Sequence, residues 1–213
     1  MKKALIAVAL LSFIFAVPVF ATEGGQTPNA QSQALALFEQ GNGLLQDGKY
    51  EEAKKAFTDA IALNPSYVEA YDNLGKVLML QLKDEEAIKE FTKALNLAPD
   101  DYTAHFNRGV AYYHLGKFDE VIHDFTEVIR LYPKNHAAYN LRGIAYFEQG
   151  KLDDAIRDYS KAIELNPGYA KAYNNRGIAY LRQGKTAEAE RDFVKSGQPM
   201  SGPTGTPSNK CAF

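Results

Sequence analysis

The stretch AYNLRGIAYFEQGKLDDAIRDYSKAIELNP, from Ala138 to Pro167, decides the fold. Its apolar residues fall at helical spacing in two blocks, parted at Gly150 and ended at Pro167. Glycine accepts the left-handed backbone that closes a helix, and proline cannot continue a helix interior. The stretch therefore reads as two helices joined by a tight turn. Its Gly143 has counterparts at Gly41, Gly75, Gly109 and Gly177, each 34 residues from the next. A fixed period of this length signals stacked repeats rather than one globular core. The repeats occupy residues 34–67, 68–101, 102–135, 136–169 and 170–196, the last one truncated.

Aligned on that period, position 8 is always Gly. Position 20 is Ala53, Ala87, Val121, Ala155 and Ala189, and position 27 is Ala60, Ala94, Val128, Ala162 and Ser196. Position 24 is aromatic throughout: Phe57, Phe91, Phe125, Tyr159 and Phe193. Small residues let two helix backbones approach, and the aromatic ring fills the space beside them. With prolines at Pro65, Pro99, Pro133 and Pro167, the chain resembles the tetratricopeptide (TPR) repeat proteins. The resemblance covers about three-quarters of the chain. It implies an all-α fold, a right-handed superhelical solenoid of antiparallel helix hairpins, and a protein-binding scaffold as its function. Repeat 3 carries Val at both small positions, so its two helices are expected to lie slightly further apart.

A second regularity pairs charges. Position 7 is Arg108, Arg142 and Arg176 in repeats 3 to 5, and position 23 is Asp124, Asp158 and Asp192. Repeats 1 and 2 hold Gln40 with Ala56 and Leu74 with Glu90 instead. Because Arg and Asp appear together, they are expected to form bridges between helices, within a repeat or to the preceding one. Such a pair fixes register more than it adds net stability. Binding of an anionic ligand by these arginines is the alternative.

The ends differ in character. Residues 1–21 read as a secretory signal peptide: Lys2 and Lys3, an apolar run from Ala4 to Val17, then Val19-Phe20-Ala21 with small residues flanking a cleavage point. An uncleaved anchor is the rival, although Pro18 interrupts a run already short of the roughly 20 residues a spanning helix needs. Residues 22–33 are polar and read as a flexible linker, and 197–213, with three Pro and three Gly, as a disordered tail. Export places the chain in the periplasm or outside the cell, with no membrane contact after cleavage. Loss of Lys2 and Lys3 leaves 22 Lys and Arg against 26 Asp and Glu, a net charge of −4. That balance offers no basic surface for nucleic acid. Cys211 is the only cysteine, so no internal disulfide forms.

Nothing in the sequence indicates catalysis or a cofactor. His105, His114 and His123 recur every nine residues, which is not one helical face, and His136 stands apart. No serine sits in a nucleophile elbow, and the glycines serve packing and turns. The acidic pairs Glu51-Glu52, Glu85-Glu86 and Asp153-Asp154 open second helices, where they complement the helix dipole.

The candidate binding surface is the concave face of the first helices, where positions 2, 5, 9 and 12 share one side. Its residues are Phe38, Asn42, Asp72, Asn73, Lys76, Phe106, Asn107, Val110, Tyr113, Asn140, Ile144, Phe147, Lys171 and Asn174. The middle, from Phe106 to Phe147, is apolar and aromatic, with amides and charges at its flanks. Position-6 asparagines such as Asn73 and Asn107 are suited to hold a peptide backbone. Equally, positions 9 and 12 can fill contacts between neighbouring helices. The resemblance also implies a test for capture of a terminal carboxylate. That subtype needs three cations, but Phe38, Thr103 and Asn107 stand in their places. The expectation is a groove for a protein or peptide partner. The alternative is self-assembly, as a homodimer or larger, through an uncapped last repeat.

Overall fold

The structure, a computed structural model, describes residues 29–197. Ten helices form five hairpins: α1 (Ala30–Gln46) with α2 (Tyr50–Leu63), α3 (Val68–Leu80) with α4 (Asp84–Leu97), α5 (Tyr102–His114) with α6 (Phe118–Leu131), α7 (His136–Glu148) with α8 (Leu152–Leu165), and α9 (Ala170–Arg182) with α10 (Thr186–Ser196). Each hairpin packs on the next, and α1 with α3, α3 with α5 and α7 with α9 also touch, giving an all-α superhelical solenoid. Neither the leader nor most of the tail lies within the described residues. The linker expectation needs correcting at residues 30–33, which are helical. The Asn29 side chain accepts a hydrogen bond from the Ser32 backbone N–H at 2.8 Å, starting α1 a turn early.

Local chemistry explains the punctuation. Four of the five hairpin turns pass through a glycine with positive φ, Gly116 among them at 70°. Repeat 2 has no glycine there, and Leu82 adopts the same left-handed conformation at φ 59°. The second helices open on acidic residues, such as Asp119 and Glu120 in α6, that make no side-chain cap. They complement the helix dipole, and Asp119 also accepts from Gln149 of the next repeat at 2.8 Å.

The position-24 rings form the centre of every hairpin. Phe57, Phe91, Phe125, Tyr159 and Phe193 are fully buried, each worth about 1.5–3 kcal/mol of apolar burial. Each lies against the position-8 glycine. A Cβ on Gly75 would sit 2.5 Å from the Phe91 ring, and one on Gly109 would sit 3.1 Å from Phe125. Repeat 3, with Val121 and Val128, is the loosest hairpin by this measure, as its sequence leads one to expect.

The core is not continuous along the solenoid. One cluster holds Phe57, Leu74, Val77, Leu78 and Phe91 of repeats 1 and 2. A second runs from Val121 and Phe125 through Ile144 and Tyr159 to Phe193. Between them lies a small separate cluster of Tyr71, Ala94, Leu95 and Ala104.

Candidate functional site

The arginines at position 7 project from the middle of α5, α7 and α9 toward the second helix of their own hairpin. Arg142 donates from Nε and an Nη to the two Asp158 carboxylate oxygens at 2.8 and 2.9 Å. Arg108 grips Asp124 at 2.9 and 2.7 Å, and Arg176 grips Asp192 at 2.7 and 2.8 Å. The bridges thus lie within repeats. The remaining Nη of each arginine reaches back to a hydroxyl of the preceding repeat: Thr92, Thr126 or Ser160, at 2.9–3.1 Å. Tyrosine rings flank the guanidinium groups, Tyr139 and Tyr146 for Arg142 and Tyr173 and Tyr180 for Arg176. These arginines are enclosed on several sides and tie repeats together, so they offer little to a ligand.

The hydroxyl arm was missed in the sequence, though its signal is there. Position 25 is Thr58, Thr92, Thr126 and Ser160 before it turns to Val194. Three of these hydroxyls stand under an arginine of the next repeat. Thr58, with Leu74 at the arginine's position in the next repeat, bonds back to the Lys54 carbonyl at 2.8 Å, as Thr126 and Ser160 also do to Ile122 and Ile156.

On the concave face the fourteen named residues divide. Phe38 is half-buried, stacked near Phe57 and Tyr67 with ring centroids at 5.8 and 4.8 Å. Asn73 donates to the Asn42 side chain at 2.7 Å, and Lys76 donates to Asn73 at 3.0 Å, forming one chain of polar groups. Phe106, Asn107, Val110 and Tyr113 are half-buried along one side of α5, with Phe106 edge-on to Phe125 at 5.4 Å. The buried Nδ2 of Asn107 has no hydrogen-bond partner among the described residues. Asn174 is half-buried and Lys171 exposed.

Four residues are enclosed by the neighbouring repeat, a correction to the expected groove. Ile144 is 0% exposed, and Phe147 is 4% exposed beneath the Arg182 guanidinium at 5.0 Å. Asn140 is also sealed, accepting from Asn175 at 3.0 Å. Asp72 is 4% exposed and lies against Asp101. Burial and the neighbouring Asp101 charge push its carboxyl up to about 7, against the pull of Lys76. The apolar row open to a partner is therefore shorter than expected: Phe106, Val110 and Tyr113, without its extension into α7.

Other features are bland. Among the described residues no group of three or more His, Cys, Asp or Glu side chains converges as metal ligands would, and no helix is long and apolar enough to cross a membrane. Two open clefts of about 670 Å³ are present. One, beside Arg176, Arg191 and Val194, marks the open end of the last hairpin. The other lies by Tyr102 and Tyr132, beside the start of the α5 row, where the Tyr102 ring lies 6.1 Å from that of Phe106.

Comparison with known proteins places this geometry. A family model described as TPR repeat matches residues 41–81, 83–116 and 143–184, more than half of the chain, and tetratricopeptide repeat models match 102–135 and 125–157. No curated protein matches the sequence. Among solved structures, the crystal structure of MamA protein is 27% identical, covers 77% of this chain and 90% of its own, and has a TM-score of 0.74. MamA 41-end from Desulfovibrio magneticus RS-1 is 22% identical over 77% of this chain and 93% of its own, with the same TM-score of 0.74. YrrB, described as a TPR protein with an unusual peptide-binding site, is 23% identical over 76% of this chain and 84% of its own, with a TM-score of 0.69. The last two show likeness of fold.

Proposed function

The chain belongs to the tetratricopeptide repeat family, and from that premise we propose that it is a non-catalytic adaptor of the cell envelope that holds an extended or helical segment of a partner protein. At the coarser level it is a protein-interaction scaffold. The observation that carries the finer reading is the α5 row. Phe106, Val110 and Tyr113 are half-buried apolar side chains on the concave face, beside the half-buried Asn107. An apolar strip edged by polar groups is what a peptide partner needs. The envelope location rests on the leader pattern of residues 1–21, which lies outside the described residues.

A photo-crosslinking residue at Tyr113, used in intact cells, tests the reading. The expected result is a discrete adduct that does not form from the exposed Glu164 on α8 and is lost when Phe106 is replaced by Ala. Equal labelling from both positions would overturn it. Phe106→Ala and Tyr113→Ala should leave the melting temperature nearly unchanged, since both side chains are only half-buried; a matching loss of stability would assign them to the core.

Self-assembly through the last hairpin is the second reading. It rests on Val194, 62% exposed where the other repeats carry a hydroxyl. Light scattering across a concentration series, repeated with Val194→Thr, distinguishes it.

A further inference from the structure

We propose that the joint between repeats 2 and 3 is a proton-operated hinge, tight on the acid side and loosening as pH rises, which sets the angle between repeats 1–2 and repeats 3–5. The inference does not depend on the groove being a binding site. It rests first on the core. The two large apolar clusters stop on either side of this joint, and only Tyr71, Ala94, Leu95 and Ala104 bridge it. A joint with little shared apolar burial depends on its polar contacts.

Those polar contacts are unlike their equivalents elsewhere, position by position. At position 4, the Tyr71 hydroxyl donates to the Pro65 carbonyl at 3.2 Å. In repeat 3 this place is taken by His105, buried, with Nε2 at 3.0 Å from the Pro99 carbonyl and Nδ1 at 2.9 Å from Asp124 Oδ1. Both ring nitrogens face acceptors. A neutral imidazole can donate from only one of them, and an imidazolium donates from both. At position 5, Asn140 receives an amide hydrogen bond from Asn175. Asp72 takes that place in repeat 2, its carboxyl against that of Asp101. Asp101 Oδ1 already accepts from the Thr103 and Ala104 backbone N–H groups at 2.8 and 3.1 Å, capping α5. At position 14, Gln81, Gln149 and Gln183 each donate to an acidic side chain of the preceding repeat at 2.7–3.0 Å. Repeat 3 has Leu115 there, and His114 makes the contact instead, to Asp84 at 3.1 Å. Beside the Arg108–Thr92 bond that recurs at the later joints and an Arg130–Asp100 pair, this joint therefore uses two imidazoles and a carboxyl pair where the others use amides and phenols.

The charges around each group agree in direction. Asp72 faces Asp101, Glu69 and Lys76, and the two carboxylates outweigh the lysine. His105 faces Asp124 and Arg108, and His123 stands 3.5 Å from the same carboxylate. Burial pulls His105 down, but the hydrogen bonds to Asp124 and the Pro99 carbonyl outweigh it and hold the imidazole above its ordinary value. Both groups thus bind their proton more tightly folded than unfolded. The stability they contribute is complete below their unfolded values, 3.8 for Asp72 and 6.5 for His105, and is lost as pH rises through the folded values, about 7 for Asp72. Above about 7 Asp72 and Asp101 repel each other, and once His105 has lost its extra proton it keeps only one of its two bonds.

Distance measurement between spin labels tests the hinge in the full chain with Cys211→Ser. One label replaces Glu52 on α2 and the other Glu190 on α10, both exposed. Between about pH 5.5 and about pH 8.5, which span the Asp72 value of about 7, the distance distribution should shift or broaden by several ångströms. A control pair at Glu120 and Glu190, within repeats 3–5, should stay fixed. Asp72→Asn with His105→Tyr, the residues that equivalent positions already carry, should abolish the change, and each single replacement should reduce it. An unchanged distribution in the otherwise native chain would overturn the hinge. So would an equal change in the control pair, or a full shift retained in the variants.

Discussion

Repeats 1 and 2 are joined by apolar packing with a few amide contacts, whereas repeats 3 to 5 add to their own shared apolar cluster a ladder of charged and hydroxyl groups. In repeat 2, position 7 is Leu74, buried with Phe57, Val77 and Phe91, and position 23 is Glu90, which pairs with Lys93 at 2.9 Å. In repeats 3 to 5 the same places hold an arginine and a buried aspartate, and the arginine's third arm reaches the previous repeat. The backbone is the same hairpin in both. One scaffold therefore tolerates two solutions at its joints. The polar one demands hydrogen-bond geometry from three side chains in two repeats, and so specifies register; the apolar one demands only volume. Even within the ladder the rungs differ. Asp158 is pushed up by burial despite Arg142, whereas Asp124 is held below the usual carboxylate range. Burial raises Asp124 too, but hydrogen bonds from Arg108 and His105 outweigh it. The extra imidazole separates the two cases.

The largest expected effect comes from forcing the apolar solution onto the charged half. Arg142→Leu copies repeat 2 but strands the buried Asp158 carboxylate, and should cost about 3–5 kcal/mol. Adding Asp158→Ala removes the stranded charge and should recover most of that loss. Urea denaturation of the two variants measures both. If the single variant were as stable as the parent, the ladder would be ornament and the contrast between the halves would collapse.

A smaller effect tests whether the halves differ in hairpin tightness as well. Gly75→Ala places a Cβ 2.5 Å from Phe91, while Gly109→Ala meets Phe125 at 3.1 Å. Overpacking of the first kind should cost about 1–3 kcal/mol, and the second clearly less, because a shift of a few tenths of an ångström relieves it. Thermal unfolding of the pair gives the order. A reversed order would mean that the valines at 121 and 128 do not hold α5 and α6 apart.

How far the sequence carried these features depends on whether a pair lies within one repeat or between two. The hairpins, their turns, the position-24 rings and the Arg–Asp pairs recur with the period, and a period shows what faces what inside a unit. Burial at positions 9 and 12 depends on how closely the next repeat approaches, which no single repeat encodes. Val110 and Tyr113 stay half-open, but their counterparts Ile144 and Phe147 are closed over, the latter by Arg182 from α9. Asp72 was hidden for the same reason: its companion Asp101 belongs to the cap of the following helix. The hydroxyl arm was legible in principle, since Thr92, Thr126 and Ser160 each precede an arginine by 16 residues.

The smallest effect concerns a turn where repeat 2 departs from all the others. Gly48, Gly116, Gly150 and Gly184 carry positive φ at no steric cost, whereas Leu82 carries it with a Cβ in the way. The leucine gains nothing in return from packing, because it is 85% exposed. A non-glycine residue in this conformation is strained by about 1–2 kcal/mol. Glycine also gives the unfolded chain more freedom, which takes back about 0.5–1 kcal/mol. Leu82→Gly should therefore stabilise the chain by about 1 kcal/mol or less, read as a raised urea midpoint with an unchanged slope. The same change also removes an exposed apolar side chain next to α4, so solubility should not fall. A lower midpoint would show that repeat 2 keeps its leucine for a contact outside this chain, and the N-terminal pair would then differ from repeats 3 to 5 by what it touches rather than by how it is joined.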